Sequence, residues 1–460
     1  MAGYPLFRGK KVTVVGLGIE GIDLVCYLAK QGARVTATDA KTADRLAPRL
    51  KALEGVDVRL ILGRNPSDDD VEADMVFVSQ GVPLDLTALA VARRRGVPLS
   101  SMTRLFLELC PGPVVGVSGS NGKTTTTSLL GAMFDAAGRD HVVGGNIGVG
   151  LLGLLDRMTP ETWAVLEISH TQLELSGRSP HVACLLNVTP NHLDRYSWED
   201  YVALKENLIR YQTADDLAVL NYSNGVTREM AARAPGRVNF FGSSEEPPGD
   251  GAFLRDGVIV WRRDGVETTV VAACETPLRG DHNLENVVAA VATADACGIA
   301  PEAMASAIRA FRPVAHRLEL VARVDGADYY NDSIATTPER TLAAMRAFSQ
   351  PLVLLLGGRE KHLPLEEMAR EASRRCRGIV FFGEAAALLE EAVRPMVDRG
   401  KPQLLRVHGL SEAVAAARDM TKAGDVVLLS PACTSFDAYD NFERRGEDFR
   451  RLVHTIGGEP

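Results

Sequence analysis

The sequence has 460 residues, of which 46% are hydrophobic and 24% charged, as in an ordinary globular protein. Its length exceeds what one hydrophobic core usually organises, so we expect several domains. The formal net charge of −8 argues against nucleic acid as a partner, because such binding calls for clustered basic surface. The seven cysteines are scattered without a C-x-x-C pair, which indicates a reducing compartment. There is no signal-peptide pattern and no apolar run near the roughly 20 residues that span a bilayer, so we expect a cytoplasmic protein without membrane insertion.

Short apolar strand patterns alternate with helical patterns along the chain, which predicts α/β domains with parallel sheets covered by helices. We predict three domains. Residues 1–103 form a Rossmann-like domain, and residues 104–312 form a P-loop ATPase-like parallel sheet with a small β portion. Residues 313–460 form a second Rossmann-like domain.

The first predicted strand, Lys11–Val15, runs into the loop Gly16-Leu-Gly-Ile-Glu-Gly21 and then into a helix. A second strand ends at Asp39. This arrangement matches the dinucleotide fingerprint, in which the acidic residue holds a ribose hydroxyl. An NAD-dependent oxidoreductase is one alternative, but the sequence marks no hydride-transfer site. A second alternative is that the glycines only allow tight packing of the helix on the strand. Because a second phosphate loop follows, we interpret this loop as the site of a different nucleotide diphosphate.

The strand at 114–117 leads into Gly116-Val-Ser-Gly-Ser-Asn-Gly-Lys123-Thr124 and a helix. Small residues let backbone N–H groups converge on phosphate oxygens, Lys123 adds a mobile positive charge, and the Thr124 hydroxyl suits Mg²⁺. The outer glycine stands one residue earlier than in G-x-x-x-x-G-K-[ST]. The loop predicts binding of ATP with Mg²⁺.

Later strands are predicted from short apolar runs between turn signals. Asp256-Gly257 and Asp264-Gly265 mark turns, which predicts β-hairpins over residues 239–271. The other runs are 163–168, 183–188, 217–220, 352–356, 378–382 and 426–429.

The pattern Gly-x-x-Gly-x-Asn-Gly-Lys-Thr resembles the ATP loop of the Mur ligases, which build the peptide stem of bacterial cell-wall precursors. Further motifs of that family follow in order over essentially the whole chain. They are Gly145-Asn146, Glu167-Ile-Ser-His-Thr-Gln-Leu-Glu174, 187–194, Lys205, 280–286, His316-Arg317-x-Glu319, Asn331-Asp332-Ser333, 429–436 and 441–446. Within the family the sequence looks most like the ligases that add glutamate to UDP-N-acetylmuramoyl-L-alanine.

The resemblance implies phosphorylation of the alanyl carboxylate by ATP, followed by attack of the glutamate amine on the acyl phosphate. The implied catalytic residues are Lys123, Glu167, His192 and Lys205, and the implied ligands of two Mg²⁺ ions are Thr124, Glu167, His192 and Lys205. The lysine that corresponds to Lys205 is carbamylated in the family, so the resemblance implies the same modification here. The implied ATP-binding residues are Gly116, Gly119, Ser120, Asn121, Gly122, Lys123, Thr124, Thr125, Asn286, Arg317 and Asp332, the last three gripping adenine and ribose.

The resemblance also implies two sets of substrate contacts. The UDP-muramoyl end would meet Ile19, Glu20, Asp39, Ser79 and Gly81, and Asn146 would link it to the central domain. The amino-acid pocket would use Thr336, Lys361, Ser435 and the backbone at Phe442.

The sequence departs from the family at Ile334, where the motif Asn-Asp-Ser-Lys-Ala-Thr has its lysine. His170 and Thr171 also replace the commoner Ser-Phe pair. Isoleucine cannot hydrogen-bond a carboxylate, but Lys361 remains available for that role, as do Thr336, Ser435 and the backbone at Phe442. The resemblance favours D-glutamate as the substrate, and the departure at Ile334 keeps L-glutamate as an alternative.

Two more distant alternatives remain at this stage. A folylpolyglutamate-synthase-like ligase would share the ATP loop but would not be expected to have the N-terminal Rossmann-like block. A non-catalytic ATP-gated binding protein would bind ATP without ligation. We expect the protein to be a monomer.

Overall fold

The computed structural model describes residues 7–147, 150–191, 195–278, 280–312, 315–398 and 401–457. Three mainly parallel sheets with helices between their strands confirm the predicted three-domain α/β class. The chain divides into two compact units. The first unit is Met1–Glu275 with Glu285–Phe311, and the second is Thr276–Leu284 with Arg312–Pro460. None of the described helices is long and apolar enough to cross a membrane.

The first sheet has five parallel strands in the order β3-β2-β1-β4-β5. Its central strand β1 pairs with β2 on one side and β4 on the other, so the loop after β1 lies where the strand order reverses, a usual place for a ligand. The strands are β1 Lys11–Val15, β2 Arg34–Asp39, β3 Val58–Leu62, β4 Met75–Val78 and β5 Leu99–Ser100. The helices are α1 Ile19–Lys30, α2 Ala43–Leu50, α3 Thr87–Arg94 and α4 Met102–Leu109.

The second sheet has nine strands in the order β14-β13-β12-β11-β10-β9-β6-β8-β7, and it is parallel from β7 to β12. The strands are β6 Val114–Ser118, β7 His141–Gly145, β8 Trp163–Glu167, β9 Val182–Leu185, β10 Leu217–Asn221, β11 Arg237–Gly242, β12 Gly251–Arg255, β13 Val258–Arg263 and β14 Val266–Ala272. The helices are α5 Lys123–Ala136, α6 His170–Leu173, α7 Trp198–Arg210, α8 Gly225–Met230, α9 Asp281–Ala296 and α10 Pro301–Ala310.

The hairpin prediction for residues 239–271 is correct for part of that stretch only. β12, β13 and β14 form an antiparallel meander that turns at Asp256-Gly257 and Asp264-Gly265, as predicted. β11, in contrast, is parallel to both β10 and β12. The helix α8 connects β10 to β11, and a helical crossover returns the chain in the same direction. The sequence marks turns clearly, but a local pattern does not report strand direction.

The third sheet has the order β15-β16-β20-β17-β18-β19, with only the pair β15–β16 antiparallel among its described pairs. Its strands are β15 Glu319–Val324, β16 Ala327–Asn331, β17 Leu352–Gly357, β18 Cys376–Phe382, β19 Gln403–Arg406 and β20 Val426–Ala432. The helices are α11 Pro338–Arg346, α12 Glu366–Arg375, α13 Ala386–Val393, α14 Leu410–Met420 and α15 Phe442–Gly457. Short 3-10 helices lie at Lys51–Leu53, Leu152–Arg157, Ala231–Arg233, Ala273–Glu275 and Arg394–Met396. The predicted domain limits at 103/104 and 312/313 stay a prediction.

Candidate active site

The loop between β6 and α5 has the backbone geometry of a phosphate cradle. β6 is buried along its whole length, and Gly122 precedes α5 with a φ of +88°, a left-handed conformation that glycine adopts without strain. A Cβ atom at Gly122 would lie 2.1 Å from Oδ1 of Asn286, so a side chain could enter only by displacing that amide. The first N–H groups of α5 therefore border a loop built of small residues, as an anion requires.

Hydrogen bonds from the chain after β9 hold this loop in shape. The backbone N–H groups of Ser120 and Asn121 donate to the carbonyl oxygen and to Oδ1 of Asn187, at 2.8 and 2.9 Å. Ser120 Oγ donates to the carbonyl of Thr189 and accepts from its N–H, both at 3.0 Å. Ser120 and Asn121 thus fix the loop, while their contact with a nucleotide stays a prediction.

Two lysine side chains converge on the backbone of the same loop. Lys123 Nζ donates to the carbonyl oxygens of Gly119 and Ser120 at 2.9 and 3.0 Å. Lys205 Nζ, from α7, donates to the same Gly119 carbonyl at 2.9 Å and to Ser118 Oγ at 3.2 Å. The sequence motif predicted the first lysine here, and only the family resemblance predicted the second.

Lys205 is almost fully buried, with 1% of its surface exposed. Burial lowers the pKa of its ammonium group well below the usual value, and the charge of Lys123 lowers it further, while Glu167 opposes the change. Burial therefore weakens the binding of the proton to this amine, compared with an exposed lysine. A neutral amine in this position is a nucleophile, which an ordinary surface lysine is not at neutral pH.

Glu167 stands at the carboxyl end of β8 and is 2% exposed. Its Oε1 accepts a hydrogen bond from Asn146 Nδ2 at 2.7 Å. Its Oε2 is buried and has no hydrogen-bond partner among the residues that the structure describes. A buried polar atom left in this state costs roughly 1–3 kcal/mol, so the site favours a cation at Oε2.

These groups fit Mg²⁺, which is commonly held by one or two carboxylates together with phosphate oxygens and waters. Glu167 supplies the carboxylate, and Thr124 stands in the first turn of α5, half-buried beside the fully buried Thr125. Within the described ranges no group of three or more His, Cys, Asp or Glu side chains could hold a metal alone. A Mg²⁺ ion at this site would need phosphate oxygens or waters as further ligands. His192, the remaining predicted ligand, lies outside the described residues.

The loop after β1 is as constrained as the phosphate loop. Gly16 has a φ of +92°, and a Cβ atom at Gly21 would lie 1.8 Å from the Gly16 carbonyl oxygen, so both positions require glycine. Asp39 accepts from the backbone N–H groups of Leu17 and Lys41 at 2.7 and 2.8 Å. Asp39 therefore supports this loop directly, and its contact with a substrate stays a prediction.

The other predicted contacts of the acceptor surround the same strand ends. Ile19 begins α1 with 53% of its surface exposed, whereas Ser79 is buried and Gly81 forms a turn with a φ of +85°. Glu20, Ser79 and Gly81 line a pocket together with Gln80 and Gln172. Ile19 is not among its lining residues.

Glu20 is 8% exposed and both of its carboxylate oxygens are engaged by protein. Gln172 Nε2 donates to Oε1 at 2.6 Å, and the backbone N–H of Gln80 donates to Oε2 at 3.1 Å. Burial raises the pKa of Glu20, while these hydrogen bonds oppose the change. The structure thus gives Glu20 a role in fixing two neighbouring residues, which the sequence did not indicate.

Asn286 belongs to the first unit, whereas Arg317 and Asp332 belong to the second. In the second unit Asp332 is 4% exposed, and burial raises the pKa of its carboxyl group to about 7, although the Ser430 hydroxyl at 2.8 Å and the charge of Arg317 oppose the change. The backbone N–H of Leu318 donates to its other oxygen at 3.2 Å. The predicted nucleotide contact of these residues is untested.

The predicted amino-acid contacts Thr336 and Lys361 do come together, since Lys361 Nζ donates to Thr336 Oγ1 at 3.3 Å. Burial lowers the pKa of Lys361, and the charge of Arg340 lowers it further. Arg340 Nη1 donates to the carbonyl oxygen of Ile334 at 3.2 Å. A guanidinium group therefore lies beside the position at which the family's lysine is missing.

The other two predicted contacts border a buried cation that the sequence did not reveal. Ser435 is 2% exposed, and the Phe442 carbonyl accepts from Ser333 Oγ at 2.8 Å. Arg445, 1% exposed, donates to Ser333 Oγ and to the carbonyl oxygens of Ser333, Gly357, Cys433 and Thr434 at 2.9–3.3 Å. Burial lowers the pKa of Arg445 to about 10, so it stays charged at neutral pH. Its position on the same face of α15 as Phe449 was the available signal.

Fold and site together define a three-domain α/β protein with a phosphate-binding loop, a buried metal-suited carboxylate and a second nucleotide-type loop. Residues 10–101 match the family described as Mur ligase MurD-like, N-terminal domain. Residues 117–294 match the Mur ligase middle domain, and residues 316–433 match the Mur ligase, glutamate ligase domain.

Full-length relatives agree with these matches. The UDP-N-acetylmuramoylalanine–D-glutamate ligase of Symbiobacterium thermophilum is 42% identical over 99% of this chain and 100% of the relative. The enzyme of the same name from a Roseiflexus species is 40% identical, over 97% of this chain and 99% of the relative. The chain belongs to the Mur ligase family. The N-terminal match decides against the folylpolyglutamate-synthase-like and oxidoreductase alternatives.

Solved structures support the fold. A pseudomurein peptide ligase type C from Methanothermus fervidus has a TM-score of 0.60 at 15% identity, covering 97% of this chain and 100% of that one. The UDP-N-acetylmuramate–alanine ligase of Thermotoga maritima also has a TM-score of 0.60, at 17% identity, covering 97% and 99%. At such identities these likenesses concern the fold alone.

Proposed function

We propose that the protein catalyses the ATP-dependent addition of D-glutamate to UDP-N-acetylmuramoyl-L-alanine, a step in peptidoglycan precursor synthesis. The observation that carries this proposal is the buried Oε2 of Glu167, which lacks a protein partner within the described part of the chain. A carboxylate in that state suits a metal–phosphate substrate. Relatives named for this reaction are 42% and 40% identical over nearly the whole chain, which supports the choice of acceptor and amino acid.

In the reaction an oxygen of the alanyl carboxylate attacks the γ-phosphorus of ATP, giving an acyl phosphate and ADP. The amine of D-glutamate then attacks the acyl carbon, phosphate leaves, and the nitrogen loses a proton to form the amide. Both steps concentrate negative charge, so placed cations and N–H donors outweigh any covalent nucleophile of the protein. The ATP loop and Lys123 provide such groups on this chain.

The two lysines take different parts in this proposal. Lys123 can exchange its contacts with the Gly119 and Ser120 carbonyls for phosphate oxygens, because its side chain already lies over the loop. Lys205 is buried with a lowered pKa, so its neutral nitrogen can add to CO₂ and lose a proton, giving a carbamate anion. That change replaces a cation by a second anionic oxygen donor near Glu167.

Glu167, Thr124 and the modified Lys205 would hold Mg²⁺, and His192 would be a further ligand, at a second ion. When bound, the metal neutralises phosphate charge and orients the γ-phosphate. Asn146 holds Oε1 of Glu167, so the other oxygen remains directed away from that hydrogen bond. The protein would act as a monomer.

At the amino-acid end, Thr336 and Lys361 would contact the glutamate, and the Ser435 and Phe442 region would shape the pocket. Ile334 provides no cation, but the guanidinium of Arg340 at its carbonyl and the Lys361 ammonium leave the pocket positively charged. Such charge suits an amino acid with two carboxylates. The relatives named as D-glutamate ligases favour the D-enantiomer over L-glutamate.

The test measures phosphate release from MgATP with UDP-N-acetylmuramoyl-L-alanine and either enantiomer of glutamate. We expect release with D-glutamate only, and a loss of about 10³-fold or more in Glu167→Gln. The control variant is Glu161→Gln, because Glu161 is an exposed residue just before β8. Turnover with L-glutamate alone would overturn the choice of enantiomer. ATP binding without amino-acid-dependent release would instead favour a non-catalytic binding protein.

A further inference from the structure

A chain of side-chain hydrogen bonds connects the pocket after β4 with the carboxylate of Glu167. Gln80 stands in the middle of this chain. Its Nε2 donates to Asn146 Oδ1 at 2.8 Å and to Ser169 Oγ at 2.9 Å. Asn146 Nδ2 in turn donates to Glu167 Oε1 at 2.7 Å.

The direction of these hydrogen bonds is determined by chemistry. The amide nitrogen of Gln80 has two hydrogens, and it donates both, so it can only face acceptors. Asn146 must therefore present its oxygen to Gln80 and its nitrogen to Glu167. If the Asn146 amide were turned over, its oxygen would face a carboxylate oxygen at 2.7 Å, and both groups would be acceptors.

Backbone contacts hold Asn146 in place beside Glu167. Its N–H donates to the Glu167 carbonyl at 2.9 Å. The preceding Gly145 has a φ of +93°, and a Cβ atom there would lie 2.2 Å from the same carbonyl oxygen. The two residues are thus held side by side, and only the orientation of the amide remains to be set.

Gln80 itself is held in two places. Its backbone N–H donates to Glu20 Oε2 at 3.1 Å, while Gln172 Nε2 occupies the other oxygen of Glu20. Ser169 Oγ, the second acceptor of the Gln80 amide, accepts from the Gln172 N–H at 3.3 Å. The exposed Gln80 side chain therefore has a defined position although it lies at the protein surface.

We propose that Gln80 is a positioning residue: it fixes the Asn146 amide so that Glu167 Oε1 is hydrogen-bonded and Oε2 alone is left for the metal. This inference rests on the magnesium role proposed above for Glu167. It also places the metal carboxylate under the control of the turn Ser79–Gly81, which we predict to contact the acceptor.

The experiment compares Gln80→Leu and Gln80→Glu by calorimetric titration of the protein with MgATP, in the absence of acceptor and glutamate. Leu removes both donors and frees the Asn146 amide to turn, which weakens the hydrogen bond from Asn146 to the Glu167 carboxylate. We expect the dissociation constant of MgATP to rise about tenfold, the effect of losing a hydrogen bond to a charged group. Glu presents a carboxylate to Asn146, which turns the amide over and brings its oxygen against Glu167. We therefore expect Gln80→Glu to bind MgATP more weakly than Gln80→Leu.

This order separates positioning from simple charge. An added carboxylate near a cation site would by itself strengthen binding of the metal, so tighter binding by Gln80→Glu would overturn the proposal. Unchanged MgATP binding in Gln80→Leu would overturn it as well. Titration with ATP in the presence of EDTA should give the same constant in all three proteins, and Gln403→Leu, an exposed position in β19, serves as the matched control.

A double-variant cycle tests the route through Asn146. If Gln80 acts on Glu167 through that amide, Gln80→Leu has no further effect on MgATP affinity once Asn146→Leu is present. Additive losses would contradict the route. These titrations need no turnover. If residues 80 and 146 are coupled but the protein does not ligate glutamate, the proposed function fails and this inference stands; if they are not coupled, this inference fails.

Discussion

The ATP-loop region and the amino-acid region solve the problem of buried charge in opposite ways. At Glu167 one carboxylate oxygen is buried without a partner in the described residues. At Arg445 the guanidinium is equally buried, but it donates five hydrogen bonds to surrounding oxygens. The first arrangement is costly until a ligand arrives, whereas the second is complete in the protein alone. The contrast indicates that Glu167 serves binding and Arg445 serves architecture.

The largest expected effect concerns Arg445. Replacement by methionine keeps most of the side-chain volume but leaves the carbonyl oxygens of Gly357, Cys433 and Thr434 without this donor. We expect Arg445→Met to destabilise the protein by about 5 kcal/mol, the upper end for breaking a buried polar network. Thermal unfolding measures the loss. Arg444→Met, at an exposed neighbour that pairs with Glu447, should melt close to the wild type, and an equally stable Arg445→Met protein would break the contrast.

A smaller effect follows from Asp332, whose raised pKa makes stability depend on pH. In the unfolded chain the carboxyl ionises near pH 3.8, but in the folded protein it ionises near pH 7. The folded state therefore binds a proton that the unfolded state has lost, and stability falls as pH rises from about 4 to about 7. A shift of this size corresponds to about 4 kcal/mol in total.

Asp332→Asn removes this titration. The melting temperature of the variant relative to wild type should rise between pH 4 and pH 7 and stay level above pH 7. Asp419→Asn, at an exposed position in α14, should follow the wild type over the same range. A constant difference between Asp332→Asn and wild type at every pH would contradict the assignment.

The smallest effect has the opposite sign to that at Arg445. Glu167→Gln removes a buried carboxylate oxygen that has no hydrogen-bond partner in the described residues, so the metal-free protein should gain about 1 kcal/mol of stability even as catalysis is lost. Thermal unfolding in EDTA measures the gain, with Glu161→Gln as control. A Glu167→Gln protein that melts well below the wild type would mean that Glu167 holds the fold together, and the contrast would be wrong.

The sequence predicted the parts of the molecule that depend on local pattern. The strands around Gly16 and Gly116 were found because glycines at fixed spacing follow short apolar runs. Parallel pairing of β11 was missed because turn signals carry no strand direction. Lys205 and Glu167 could be named only through the family resemblance, since a lysine in a helix and a glutamate at a strand end are ordinarily solvated.

The missed residues share a physical reason. Each of them hydrogen-bonds to a partner far away in the chain. The separation is 66 residues from Gln80 to Asn146, 152 from Gln172 to Glu20 and 112 from Arg445 to Ser333. No spacing rule covers such distances, and a glutamine or arginine is by default read as a surface residue. Only the folded geometry shows that their donors are used.

Arg445 also has a consequence for the order in which the protein is made. Its guanidinium, from α15, donates to the carbonyl oxygen of the last residue of β17 and to carbonyl oxygens just after the ends of β16 and β20. A ribosome completes those strands before it completes α15, so until then these oxygens lack their donor. The amino-acid region should therefore complete its folding late in translation. The ATP loop precedes α15 by several hundred residues, so it can fold earlier.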